Sequence, residues 1–141
     1  MKIRMGFVSN SSSSSFVIAS KGELNVGEES IKNIFKIDLN SPMFELAKRI
    51  INVLIDKSEE ISDFNEWLEE EYGSFNGSED YKEEVMAYSE VSKIKQLIDN
   101  GFSVRKGSLY NDSGDTLESF LCDDFKFEYE DETLYISNDR D

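Results

Sequence analysis

Carboxylates, serines and one thiol are the side chains whose types and spacing could do chemistry in this chain. There is no histidine, which removes Ser-His-Asp and Cys-His catalysis and histidine-based zinc sites. The densest constellation is Asp112, Asp115, Glu118, Asp123 and Asp124. If 115–122 is helical, Asp115, Glu118 and Cys122 share a face, and an oxygen-rich cluster of that kind suits Ca²⁺ or Mg²⁺. The calcium-loop pattern is not met, because Gly114 precedes Asp115 instead of following alternating acids. Asp112 and Asp115 are more simply explained as turn and cap residues. Cys122, after Phe120-Leu121 at a helix end, reads as a small buried hydrophobe. No cofactor is expected.

The other constellation is the uninterrupted run Ser11–Ser15, framed by Phe7-Val8 and by Phe16-Val17-Ile18. A phosphate loop would need glycines that let successive N–H groups point inward, with a lysine at a helix start. No glycine lies between Gly6 and Gly22. The run reads instead as an extended, hydrated segment whose hydroxyls could be modified or read by a partner. In that reading Phe7 and Phe16 are the anchors and Asn10 is the oriented polar contact. Ser11, Ser12, Ser13, Ser14 and Ser15 are the recognised surface.

Residues Gly6-Phe7-Val8-Ser9-Asn10-Ser11-Ser12-Ser13-Ser14-Ser15-Phe16 resemble the Gly-Phe-Val-Ser-Asn-Ser₅-Phe signature that opens a group of uncharacterised proteins of bacteria and their phages. In that group the opening is similar while the remainder differs. The resemblance therefore implies a portable address or recognition segment, in a phage-related or bacterial setting, and no activity or cofactor.

The elements that must position these residues follow from periodicity and punctuation. Phe16–Ser20 reads as a strand. Residues 31–39 mix helical spacing (Ile31, Ile34, Phe35) with alternation (Phe35, Ile37, Leu39), which suggests a helical turn leading into a strand. Ser41-Pro42 opens a helix to about Lys57. A second helix spans 62–72, with Phe64, Trp67, Leu68 and Tyr72 on its apolar side. Ser78 caps a long third helix that ends at Asn100-Gly101. Its inner face is Tyr81, Val85, Tyr88, Val91, Ile94 and Ile98. Residues 102–110 read as one or two strands interrupted by Gly107. Asp115 and Glu118 form a capping box for a short helix, and 125–129 with 133–137 form a hairpin. The tail 138–141 is expected to fray. The runs Glu69-Glu70-Glu71 and 128–132 read as solvated faces.

These signals predict an α+β fold, with three main helices packed on a small, mostly antiparallel sheet. Residues 1–20 form a Ser-rich segment and first strand, and 21–141 a single acidic domain. With 141 residues, the chain can bury a core without metal or disulfide help.

Charge then narrows the partners. Residues 1–57 hold eight Lys/Arg and six Asp/Glu, whereas 58–141 hold seven and twenty-four, a net of −17. That surface repels nucleic-acid phosphates and anionic membranes and attracts basic proteins. Lys2 and Arg4 are followed only by Met5–Val8 before Ser9, short of a secretory core. A cytoplasmic location is expected. The preferred functional expectation is a non-enzymatic accessory or interaction protein whose N-terminal serine segment is recognised or modified by a protein partner, with basic partners favoured by the charge. Two alternatives stand beside it. One is an acidic decoy that occupies a basic nucleic-acid-binding site. The other is a divalent-metal-dependent enzyme built on Asp112, Asp115, Glu118, Asp123 and Asp124. The preferred reading carries a further expectation, that the domain folds from Phe16 onward.

Overall fold

Phe16-Val17-Ile18-Ala19 is apolar at four consecutive positions, a pattern that suits a strand covered on both faces. The computed structural model, which describes residues 13–112 and 114–138, puts that run at the centre of the sheet. Five strands, β1 (Ser13–Ser20), β2 (Ser58–Glu60), β3 (Ser103–Tyr110), β4 (Glu128–Glu130) and β5 (Leu134–Ser137), lie in the order β2-β3-β1-β5-β4. Every pairing is antiparallel. β1 runs from Ser13↔Tyr110 to Ser20↔Ser103 along β3, and from Val17↔Ser137 to Ser20↔Leu134 along β5.

The expected α+β class holds. Six helices lie among the described residues, α1 (Glu28–Phe35), α2 (Phe44–Asp56), α3 (Phe64–Tyr72), α4 (Glu79–Met86), α5 (Ser89–Asp99) and α6 (Thr116–Asp123), so the third expected main helix is divided into α4 and α5. They cover both faces of the sheet. Side chains alternate across a strand, so Phe16 and Ile18 enter one core with α1, α2 and α6, while Val17 and Ala19 enter a second with α3, α4 and α5. Leu134 and Ile136 of β5 join the first core and Tyr135 the second. No described helix is long and apolar enough to cross a membrane.

Several local expectations change. α1 ends at Lys36, whose left-handed backbone (φ 56°) turns the chain so that the following Ile37 N–H also reaches the Lys32 carbonyl, at 3.3 Å. The chain then turns, so Ile37 tucks into the core edge and no strand forms at 37–39. The helix expected over 78–100 breaks at Ala87-Tyr88, where Tyr88 is extended (ψ 138°). The break releases Tyr81 and Tyr88 to 37% and 41% exposure and turns Val91, Ile94 and Leu97 onto the sheet. Ser78 does cap α4, accepting from the Tyr81 N–H at 3.4 Å. Asp63 caps α3 by accepting from the Glu66 N–H at 3.1 Å.

Gly107 does not interrupt β3; it is the point of closest approach across it. The residue faces Phe16 in register. A Cβ there would lie 2.5 Å from Phe16 Cζ and nearer still to the Lys57 carbonyl oxygen. At the far end of the sheet, Asn138 is buried, not frayed. Its amide donates to the Leu121 and Phe125 carbonyls at 3.2 and 2.7 Å, and its Oδ1 accepts from the Phe127 N–H at 2.8 Å.

Candidate functional site

β2 and α3 together build a strongly acidic concavity. β2 is a three-residue edge strand, paired through Ser58↔Gly107, Glu59↔Lys106 and Glu60↔Arg105. Arg105 donates to Ser58 Oγ at 2.7 Å and to its carbonyl at 3.0 Å, which holds that edge in place. The chain then enters α3 through the Asp63 cap. Trp67 and Leu68 face the sheet, so Glu66, Glu69, Glu70 and Glu71 are left outside. A cleft of about 220 Å³ lies between the strand edge and the helix, with Glu59, Glu60, Asp63, Glu66, Glu70 and Glu71 around it and Trp67 at its base. Among the described residues Lys106 is the one cation lining it, and that ammonium pairs with Glu90 of α5 at 3.0 Å. At the back of the same layer, the Tyr72 phenol is pushed above its usual range. Burial is the main cause, reinforced by the carboxylates of Glu90 and Glu71.

The acids continue on α4. Between residues 59 and 84 the chain carries eleven Asp/Glu, all exposed, against the single cation Lys82. Such a surface supplies a negative potential over two helices and a strand edge, a fit for an extended positive surface. Aromatic contacts fix its shape: Tyr81 donates to the Tyr72 carbonyl at 2.8 Å, and the Tyr72 and Tyr88 rings are 5.6 Å apart.

The serine constellation divides. Phe7, Asn10, Ser11 and Ser12 lie outside the described residues. Ser13, Ser14 and Ser15 are the first three residues of β1 and pair with Tyr110, Leu109 and Ser108. Ser14 is buried and Phe16 is fully buried in the first core. Exposed hydroxyls at Ser14 and an anchoring role for Phe16 toward a partner are therefore corrected. Both residues face inward, because the strand begins three residues earlier than its apolar run.

The carboxylates of 112–124 are also dispersed. Asp112 is exposed in a turn. Asp115 caps α6, accepting from the Leu117 and Glu118 N–H groups at 2.9 and 3.2 Å. Glu118 is buried; its Oε2 accepts from the Tyr110 N–H at 2.8 Å, and its Oε1 pairs with Lys57 at 2.9 Å. Asp123 and Asp124 are exposed at the end of α6. Among the described residues no three Cys, Asp or Glu side chains gather where a metal ion could sit. Cys122 is buried and donates its S–H to the Leu109 carbonyl at 3.4 Å.

The acidic cleft was passed over in the sequence because Glu69-Glu70-Glu71 has the look of an ordinary solvated helix face. The available signal was the spacing of Glu59-Glu60, Asp63, Glu66 and Glu70, which carries one charge from a strand edge onto a single side of the next helix. No family model, curated protein or solved structure matches this chain.

Proposed function

We propose that this chain is a non-enzymatic interaction protein of the cytoplasm that binds a basic protein surface through the layer formed by β2, α3 and α4. The observation that carries the reading is the concentration of eleven exposed carboxylates against Lys82 in residues 59–84. Opposite charges steer encounter and suppress wrong partners, and a surface this acidic competes with phosphates for the same basic groove. The natural partner chemistry is therefore a nucleic-acid-binding protein, which this chain would occupy as a decoy. Reading the five serines as one exposed recognition unit has less support, since three of them belong to the central strand.

The test is competition on the full chain. A basic DNA-binding protein retained by the immobilised protein should elute with duplex DNA and with salt, because the contact is mostly charge. Changing Glu59, Glu60, Glu66, Glu70 and Glu71 together to Gln should abolish retention. Retention unchanged by those substitutions, or resistant to DNA, would overturn the reading.

A further inference from the structure

On the other side of the sheet an almost wholly apolar groove of about 210 Å³ opens between α1, α2 and α6. Phe35, Ile37, Leu46, Ala47, Phe120 and Phe125 line it. Met43 and Phe120 are 52% and 38% exposed at its rim. A contiguous apolar concavity on a chain this charged marks a binding site.

We propose that the groove is the docking site of the chain's own N-terminal segment, residues 1–7. Four observations select this occupant. Residues 1–12 join the fold at Ser13, which pairs with Tyr110 beside the start of α6, the helix that carries Phe120. Phe7 is six residues before Ser13, a span of ~20 Å at ~3.3 Å per extended residue, enough to reach across one helix. Met1, Ile3, Met5 and Phe7 alternate with Lys2 and Arg4, so an extended segment puts four apolar side chains on one side and two cations on the other. Phe35, Leu46, Phe120 and Phe125 give the groove an almost wholly apolar lining, which matches the apolar side of such a segment and leaves its two cations toward solvent.

A buried hydroxyl supports the same return path. Ser14 Oγ is buried without a hydrogen-bond partner among the described residues. It stands on the same side of β1 as Phe16, which is the groove's side of the sheet. Buried polar groups are nearly always paired, and a segment folding back over this face would bring Ser9, Asn10 or backbone groups to it.

The experiment places a photoreactive benzoylphenylalanine at position 5 of the full chain, in place of Met5, and irradiates it in dilute solution. Cross-links at monomer mass to peptides containing Met43–Ile50 or Phe120–Phe125 are expected, and Phe120→Asp should abolish them. Cross-links elsewhere, none at all, or a product of twice the mass, which would put a second copy's segment in the groove, overturn the proposal. Independently, the full-chain variant Ile3→Asp/Met5→Asp/Phe7→Asp should raise the fluorescence of an apolar dye about twofold or more as the groove is uncovered, with far-ultraviolet dichroism unchanged. A folded variant with unaltered dye binding also overturns it, and the cross-linking result decides the matter if the variant does not fold.

Discussion

The two faces of the sheet share their strands and differ in charge. The segment that supplies α1 and α2, residues 21–57, has six Lys/Arg and six Asp/Glu; residues 59–84, which supply α3 and α4 on the opposite face, have one and eleven. Both layers bury branched aliphatic and aromatic side chains against the same central strand. The balanced face shows that this fold covers a core and stays hydrated without excess charge. Like charges crowded onto one layer repel and destabilise the compact state, so the acid load of the other face serves something other than folding. What the balanced face holds in its place is an apolar groove.

The most severe way to break the comparison is to remove a core residue from either side of the shared sheet. Phe16→Ala on the balanced side and Leu68→Ala on the acidic side should each cost about 3–4 kcal/mol in denaturant unfolding, since both are fully buried. A loss under ~1 kcal/mol at Phe16 would return that residue to the exposed segment and undo its assignment to the core. Gly107→Ala sits between the faces and should cost about 2–3 kcal/mol, because one of the atoms a Cβ meets is the Lys57 backbone carbonyl, which cannot swing away.

Gly107 also shows where sequence reading stops. Glycine inside a strand pattern signals either an interruption or a close approach, and only the ring of Phe16 across the ladder decides between them. The caps Ser78 and Asp115, the stop at Asn100-Gly101 and the hairpin of β4 and β5 were legible, because each depends on residues a few positions apart. Two-sided burial was also written in the unbroken Phe16–Ala19 run. The break at Ala87-Tyr88 was not legible: the stripe Tyr81, Val85, Tyr88, Val91 fits one continuous helix, and tertiary packing alone makes Tyr88 extended. Of the candidate sites, charge content could be read from composition, but its assembly into a cleft needed β2, a three-residue strand with no pattern of its own.

Glu118 sharpens the comparison at the junction of α2, β3 and α6. Glu118→Ala should cost about 2–3 kcal/mol, since it leaves the Tyr110 N–H without its carboxylate and Lys57 without its partner. Glu118→Gln keeps an acceptor for the amide and should cost only about 1 kcal/mol, because Lys57 is 37% exposed and its pairing is screened. Adding Ca²⁺ or Mg²⁺ should leave the melting temperature of the unsubstituted protein unchanged; a rise would restore a metal role for these carboxylates.

Neutralising the acidic layer should act in the opposite direction. Glu66 and Glu70 are four residues apart on α3, a spacing at which like charges repel. Glu66→Gln/Glu70→Gln should therefore stabilise the protein by about 0.5 kcal/mol and reduce the gain in stability that the unsubstituted chain shows with added salt. Destabilisation would mean that these carboxylates hold the fold together and would remove the contrast between the faces. Within the same layer Tyr72 reports the local field. Its folded pKa is raised, so its contribution to stability is complete below the ordinary phenol range and is lost as pH rises through the folded value. Glu71→Gln should lower the Tyr72 midpoint in an ultraviolet titration while burial keeps it above the usual range. An unmoved midpoint would leave burial and the Glu90 carboxylate as the main causes.

The smallest effect is expected at Asp131, in the hairpin that closes the sheet on the side away from the acidic cleft. There a carboxylate organises a turn. Its Oδ2 accepts from the Tyr129 hydroxyl at 2.7 Å, and its Oδ1 accepts from the Thr133 and Leu134 N–H groups at 2.8 and 2.9 Å. These bonds, the Tyr129 hydroxyl first, hold the carboxyl below its ordinary range and together outweigh the opposing effect of burial. The sign follows from linkage: a depressed folded pKa gives a contribution that is present above the unfolded value of about 3.9 and is lost as pH falls through the lower folded value. Acid should therefore loosen this hairpin only below about pH 4, without opening the rest of the sheet. The measurement is carboxyl titration by nuclear magnetic resonance alongside amide exchange at Thr133 and Leu134. Tyr129→Phe removes the largest cause, so the Asp131 midpoint should rise toward the ordinary value while the two backbone bonds still hold it somewhat low. A midpoint already ordinary in the unsubstituted chain, or exchange at Thr133 and Leu134 that ignores pH, would show that the turn is held by its strands and not by its carboxylate.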